Sequence, residues 1–165
     1  MANADKPNGF RFAYTLHGGP PKIGKYKNTA VAIYPGDLVH LDGSGRVNSI
    51  ASTETPIGVA MNYVSATADQ TVYVYDDTAN TVFIVQADGA DISDDTGTGN
   101  FFDPLCTTGD TTTLKSKQEL DSSATAEDTL ILIGKVDRPD NAYGAYVDVY
   151  VQIRANTQAQ VIAVT

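Results

Sequence analysis

The run Ala145-Tyr146-Val147-Asp148-Val149-Tyr150-Val151-Gln152-Ile153-Arg154 decides the fold class. Ala145, Val147, Val149, Val151 and Ile153 hold one set of alternate positions, and Tyr146, Asp148, Tyr150, Gln152 and Arg154 hold the other. A strand sends successive side chains to opposite faces, so this period of two predicts a strand with one buried and one wet side. Residues 71–76 repeat the pattern, with Thr71, Tyr73 and Tyr75 alternating against Val72 and Val74. Val82-Phe83-Ile84-Val85 and Leu130-Ile131-Leu132-Ile133 are apolar at every position, which predicts central strands covered on both faces. Shorter strands are expected at residues 29–33, 37–41, 46–49, 57–63 and 160–164.

Turn chemistry separates these segments. Pro35-Gly36-Asp37 and Asp42-Gly43-Ser44-Gly45 supply positive-φ positions, residues 76–80 make a hairpin loop, and Arg138-Pro139-Asp140-Asn141 punctuates the last pair. No window of eleven or more residues carries a helical stripe, and residues 123–128 have room for one short turn. The expected fold is all-β: a single-domain sandwich or small barrel of about eight to ten short antiparallel strands. There is no internal repeat at the periods of repeat proteins.

The chain has 165 residues, of which 42% are apolar, with 11 basic and 20 acidic residues and a net charge of −9. That length supports one domain with a core of its own. One cysteine, Cys106, excludes an internal disulfide framework and a multi-cysteine zinc site. The acidic balance argues against a partner that is nucleic acid, since such affinity comes from clustered Lys and Arg. No apolar run approaches the roughly 20 residues that span a bilayer, so no membrane partner is expected. The first residues carry no apolar signal core, so export by that route is not expected either.

Charge is segregated along the chain. Residues 1–27 hold five basic residues and one acid, net +4, leaving −13 for the remainder. This stretch shows no regular periodicity and contains Gly9, Gly18, Gly19, Pro20, Pro21 and Gly24. It reads as an extended basic N-terminal arm over residues 1–28, followed by a β domain over 29–165. Phe10, Arg11, Phe12, Lys22, Lys25 and Lys27 are its candidate partner-binding residues, with Tyr14, Leu16 and Tyr26 nearby as further anchors, because aromatic and Arg side chains dominate interface hot spots. The same anchors would equally serve an arm that fills a groove of its own domain. Between residues 87 and 113 the alternation stops and Asp and Gly dominate, which predicts one long acidic loop. Phe101 and Phe102 within it, with Tyr146 and Tyr150 on the wet face of the last strand, are the candidate subunit contacts.

Candidate chemistry is sparse. His17 and His40 are the only histidines, and nothing in the spacing places either beside a nucleophile. Cys106 has no neighbouring Lys, Arg or His to lower its pKa and reads as a small buried hydrophobe. The run Asp88 to Asp95 lacks the alternate acids and closing Glu of a calcium loop, so it reads as a solvated loop. Gly43-Ser44-Gly45 and Gly97-Thr98-Gly99 lack the Lys-Ser/Thr of a phosphate loop. No enzyme, cofactor or metal is expected.

Five segments taken in order carry a resemblance. They are Asn8-Gly9-Phe10-Arg11-Phe12, then Pro35-Gly36-Asp37-Leu38-Val39 with Leu41-Asp42-Gly43, then Pro56-Ile57-Gly58-Val59-Ala60. Val82-Phe83-Ile84-Val85-Gln86-Ala87-Asp88 and Leu132-Ile133-Gly134-Lys135-Val136-Asp137-Arg138-Pro139-Asp140-Asn141 follow. Together they resemble the capsid decoration, or cement, proteins of tailed bacteriophages, which stabilise the head. The resemblance implies a structural virion protein on the outer surface of the capsid, made in the host cytoplasm. It implies the major capsid protein and sister copies as partners, in a homotrimer or a dimer. On this reading the arm docks on the shell, and deleting residues 1–27 is expected to leave a folded body. The alternative is a glycan-binding or host-attachment module using Tyr146, Tyr150 or the 87–113 loop.

Overall fold

The computed structural model describes residues 3–51, 53–90, 92–93, 98–123 and 129–154. Among them are eleven strands in two antiparallel sheets and no helix. They are β1 (Arg11–Thr15), β2 (Ile23–Lys27), β3 (Leu38–Leu41), β4 (Val47–Ser49), β5 (Gly58–Ala60) and β6 (Thr71–Tyr75). β7 (Thr81–Gln86), β8 (Phe101–Leu105), β9 (Glu119–Asp121), β10 (Leu130–Lys135) and β11 (Asp148–Ile153) complete them. The larger sheet runs β1-β7-β11-β10-β8-β9 and the smaller β2-β6-β5-β3-β4. The all-β expectation holds, as a sandwich. The strand expected at 160–164 lies outside the described residues.

Both sheets curl. A parallel bridge between Ala87 and Leu120 joins the end of β7 to β9, and another between Asn28 and Val47 joins the end of β2 to β4. Each sheet thereby ties down a three-residue edge strand that would otherwise template association.

The core is split by the smaller sheet. Leu38, Val59 and Tyr75 on one of its faces meet Phe83, Val85, Val149 and Val151 of the larger sheet. Its other face, with Val39, Val47, Val72 and Val74, packs under Ile33, Ile57 and Val64 from the connecting segments. β7 is covered on both sides, as expected, with Val82, Phe83 and Val85 buried and Ile84 half-exposed, and β5 of the small sheet is buried throughout. Leu130-Ile131-Leu132-Ile133 was expected to be covered twice, yet only Leu130 and Leu132 are buried while Ile131 and Ile133 are half-exposed. An aliphatic side chain can line an outer face, so apolar content alone overstates coverage.

The last strand keeps its predicted alternation with a shorter span. Val149, Val151 and Ile153 enter the core, while Tyr150 and Gln152 are half-exposed. Tyr146 has φ +58°, a left-handed conformation that a bulky residue rarely adopts, and this ends the extended run before β11. The expected 87–113 loop is interrupted by β8, which pairs with β10 and β9. Its sequence, Phe-Phe-Asp-Pro-Leu, breaks the alternation and includes a proline, so tertiary pairing rather than local pattern makes it a strand.

The N-terminal segment departs most from expectation. Residues 11–15 and 23–27 are strands, β1 pairing with β7 and β2 with β6. β6 and β7 are consecutive but belong to different sheets, and β1 and β2 follow the same crossing beside them. The N-terminal segment is thus a ribbon bound to both sheets rather than a free arm. Its glycines serve close approach. Gly9 has φ +63°, and a side chain there would collide with Ser116 and with the Gly36 carbonyl. The Phe10 amide donates to the Gly36 carbonyl at 2.9 Å, which seats the Phe10 ring in the core. At Gly24 a side chain would collide with the buried Asp76 carboxylate that crosses over β2.

Candidate functional site

The predicted partner-binding residues divide into structural and exposed groups. Phe10 is 2% exposed and belongs to the core, so it is unavailable to a partner. Phe12 stacks on Tyr75 with ring centroids 5.4 Å apart and keeps an exposed edge. Lys22 lies 3.4 Å from the buried Asp76 carboxylate, which also accepts from the Tyr26 hydroxyl at 2.9 Å. Lys27 donates to the Asp69 carbonyl at 2.9 Å and keeps an exposed side chain. The Lys25 side chain is exposed and has no ion pair or hydrogen-bond partner among the described residues.

Arg11 is the most constrained of the set. On the outer face of β1 its Nη2 lies 3.3 Å from Asp148 Oδ1, while Arg138 Nη2 holds Asp148 Oδ2 at 2.9 Å. Arg138 Nε also reaches Asp140 at 3.2 Å. The Asn141 side chain fixes the backbone on both sides of this network, donating to the Val136 and Asp148 carbonyls and accepting from the Asp148 amide, each at 2.8 Å. The preceding residues are clasped to the same corner. The Asn3 side chain donates to the Ala142 and Ala145 carbonyls at 2.7 and 2.9 Å, and Gln86 accepts from the Lys6 amide at 2.8 Å.

The predicted subunit contacts also divide. Phe101 is half-buried on the outer face of the large sheet, with the Arg154 guanidinium 4.3 Å above its ring. Phe102, one residue on, points inward and is a core residue, since strand neighbours face opposite ways. Tyr150 packs edge-on against Tyr14 at 5.9 Å, whereas Tyr146 covers Gly89 in the turn before β11. The two tyrosines therefore have different neighbours and form no common platform. Tyr14 and Leu16, further anchors marked by the sequence, and Ile23, which it did not mark, are exposed beside the predicted residues. Their signal was an apolar side chain at each end of a Gly/Pro turn, legible once that turn joins two strands.

The groups considered for chemistry are dispersed. His17 is exposed in the β1–β2 turn. His40 Nε2 lies 3.2 Å from Glu54, close enough to pair when protonated but without hydrogen-bond geometry. Burial, with Asp37 and Glu54 nearby, pushes the Cys106 thiol up to about 11, which leaves it protonated and poorly nucleophilic at neutral pH. No group of three or more His, Cys, Asp or Glu suited to a metal occurs among the described residues. Asp91, Asp94 and Asp95 of the acidic run lie outside them.

One carboxylate is set for a pH effect. Burial first, then the charges of Asp5 and Asp88, push Glu119 up to about 7. Its folded pKa exceeds the unfolded value near 4.3, so its stabilising contribution is full at acid pH and is lost as pH rises through 7. Glu119→Gln is expected to leave the melting temperature unchanged at about pH 3.5, below the unfolded value, where the group is protonated in both states. At pH 8 it should raise stability by about 1 kcal/mol, a value discounted for solvent screening, or about 3 °C by calorimetry.

Compared with known proteins, the chain matches no family model, no curated protein and no solved structure.

Proposed function

We propose that the protein decorates and stabilises the outside of a tailed-phage icosahedral head, binding the assembled lattice of major capsid protein through its N-terminal ribbon. One observation carries this reading. Of the ten exposed large apolar side chains among the described residues, four fall within thirteen residues of the ribbon: Phe12 at 36%, Tyr14 at 41%, Leu16 at 56% and Ile23 at 48%. Clustered exposure of that kind marks an interaction surface, whereas scattered apolar residues carry no such meaning. Lys25 and Lys27 add exposed positive charge on a chain of net charge −9, which orients the ribbon toward an acidic partner surface.

The ribbon is held rigidly by both sheets, so little ordering entropy opposes docking. A protein that binds the assembled lattice better than loose subunits stabilises the shell in proportion to that difference. Sister copies meet through Tyr150 and Phe101 on the outer face of the large sheet, as a trimer at local threefold positions. The glycan-binding alternative reads with Tyr146, Tyr150 or the 87–113 loop, and the separate packing of the two tyrosines does not favour a joint stacking platform.

Co-sedimentation with matched undecorated heads tests this reading. Binding should saturate at a copy number fixed by the lattice symmetry, with none to free capsid subunits. Absence of binding to every head form would refute it.

A further inference from the structure

Arg11 separates two depressions that share it and Asn8 as common walls. On one side is a polar cavity of about 390 Å³, between the N-terminal clasp and the 138–148 turn. On the other is a more open groove of about 480 Å³, walled by Phe12, Ala60, Met61, Tyr75 and Leu114. We propose that the two together bind an extended protein segment in which a carboxylate stands beside an apolar side chain. This deepens the decoration reading and rests on it, the segment belonging to the shell partner.

Charge supports the first half. Lys6, Arg11 and Arg138 line the cavity against Asp140 and Asp148, so one added carboxylate brings it to neutrality. A second, independent observation places that carboxylate. Arg11 spends Nη2 on Asp148, yet its Nε–H is buried and has no acceptor. A buried donor without a partner costs about 1–3 kcal/mol, and an entering oxyanion relieves it through a charge-assisted bond once the guanidinium, 39% exposed, turns the Nε–H toward the cavity. The groove supports the second half. Its rim residues Phe12 and Leu114 are exposed, and Leu114 is held outward at φ +54°. A side chain adjoining the carboxylate therefore meets apolar surface within one residue's reach of Arg11. Neither depression alone discriminates; the pair selects an acidic residue next to an aromatic or aliphatic one.

The test uses the whole chain and three probes: acetyl-Gly-Glu-Phe-Gly-amide, its Gln counterpart, and sodium acetate. Nitrogen-15 NMR should show the Glu peptide shifting the Arg11 Nε–H signal and the Phe12 and Leu114 amides. Its affinity should exceed that of the Gln peptide at least tenfold. Arg11→Lys retains a cation for Asp148 but removes the Nε–H, and should abolish that preference with the fold intact. Leu114→Asp, at an exposed position, should weaken both peptides. Equal affinity of the Glu and Gln peptides, or no shift at millimolar peptide, overturns the proposal. Acetate binding as tightly as the Glu peptide does the same, reducing the cavity to a small-anion site. Since no heads are present, failure here leaves co-sedimentation to judge the decoration reading separately.

Discussion

A chain lacking residues 1–27 is expected to be insoluble or to unfold without a cooperative transition. The deletion removes β1 from the edge of the large sheet and β2 from the edge of the small one, exposing the ladders of β7 and β6. It withdraws Phe10 from the main core. It also leaves Asp76 buried without Lys22 and Tyr26, and Asp148 without Arg11. Losing a core Phe alone costs about 3–5 kcal/mol, against a total stability of about 5–15 kcal/mol for a typical domain. The point variant Phe10→Ala gives a graded version, with an expected fall in melting temperature of about 10 °C. Circular dichroism and calorimetry measure both. A truncated chain that stays monomeric and melts cooperatively within a few degrees of the full chain would show that the ribbon is an arm after all.

The triple variant Tyr14→Ser, Leu16→Ser, Ile23→Ser should fold normally and bind heads at least a hundredfold more weakly. These side chains are about half exposed and contribute little to the core. Each has about 1 kcal/mol of apolar burial left to gain on docking, so losing all three removes about 3 kcal/mol. That amount corresponds to more than a hundredfold in affinity for one copy, and linked copies amplify it. A matched control outside the ribbon, the exposed Tyr63→Ser, should leave binding unchanged. Wild-type affinity in the triple variant, with melting temperature preserved, would move the docking surface elsewhere.

Much of the fold was legible because a half-buried strand writes its two faces into alternate positions. β6 and β11 carry that signature plainly, and the Pro-Gly-Asp and Asp-Gly-Ser-Gly turns bound β3 as expected. The strands that escaped notice are those whose neighbours, rather than their own pattern, make them strands. β8 contains Asp103 and Pro104, and β9 is three residues long. β1 carries a register shift between Phe12 and Tyr14, which breaks the alternation at its centre.

The candidate surface divides the same way. Composition and order marked the first 27 residues as distinct by charge and rich in anchors, and that is a local property of the chain. Which anchors face outward depends on partners far away in sequence. Phe10 is buried because Gly9 and Gly36 let two backbones touch, and Arg11 is fixed because Asp148 lies across two strands from it. Sequence alone determined that this is an acidic all-β chain with a basic, aromatic N-terminal segment. Only the tertiary structure decided that the segment is woven into both sheets, since strand pairing and burial are set by contacts between residues remote along the chain.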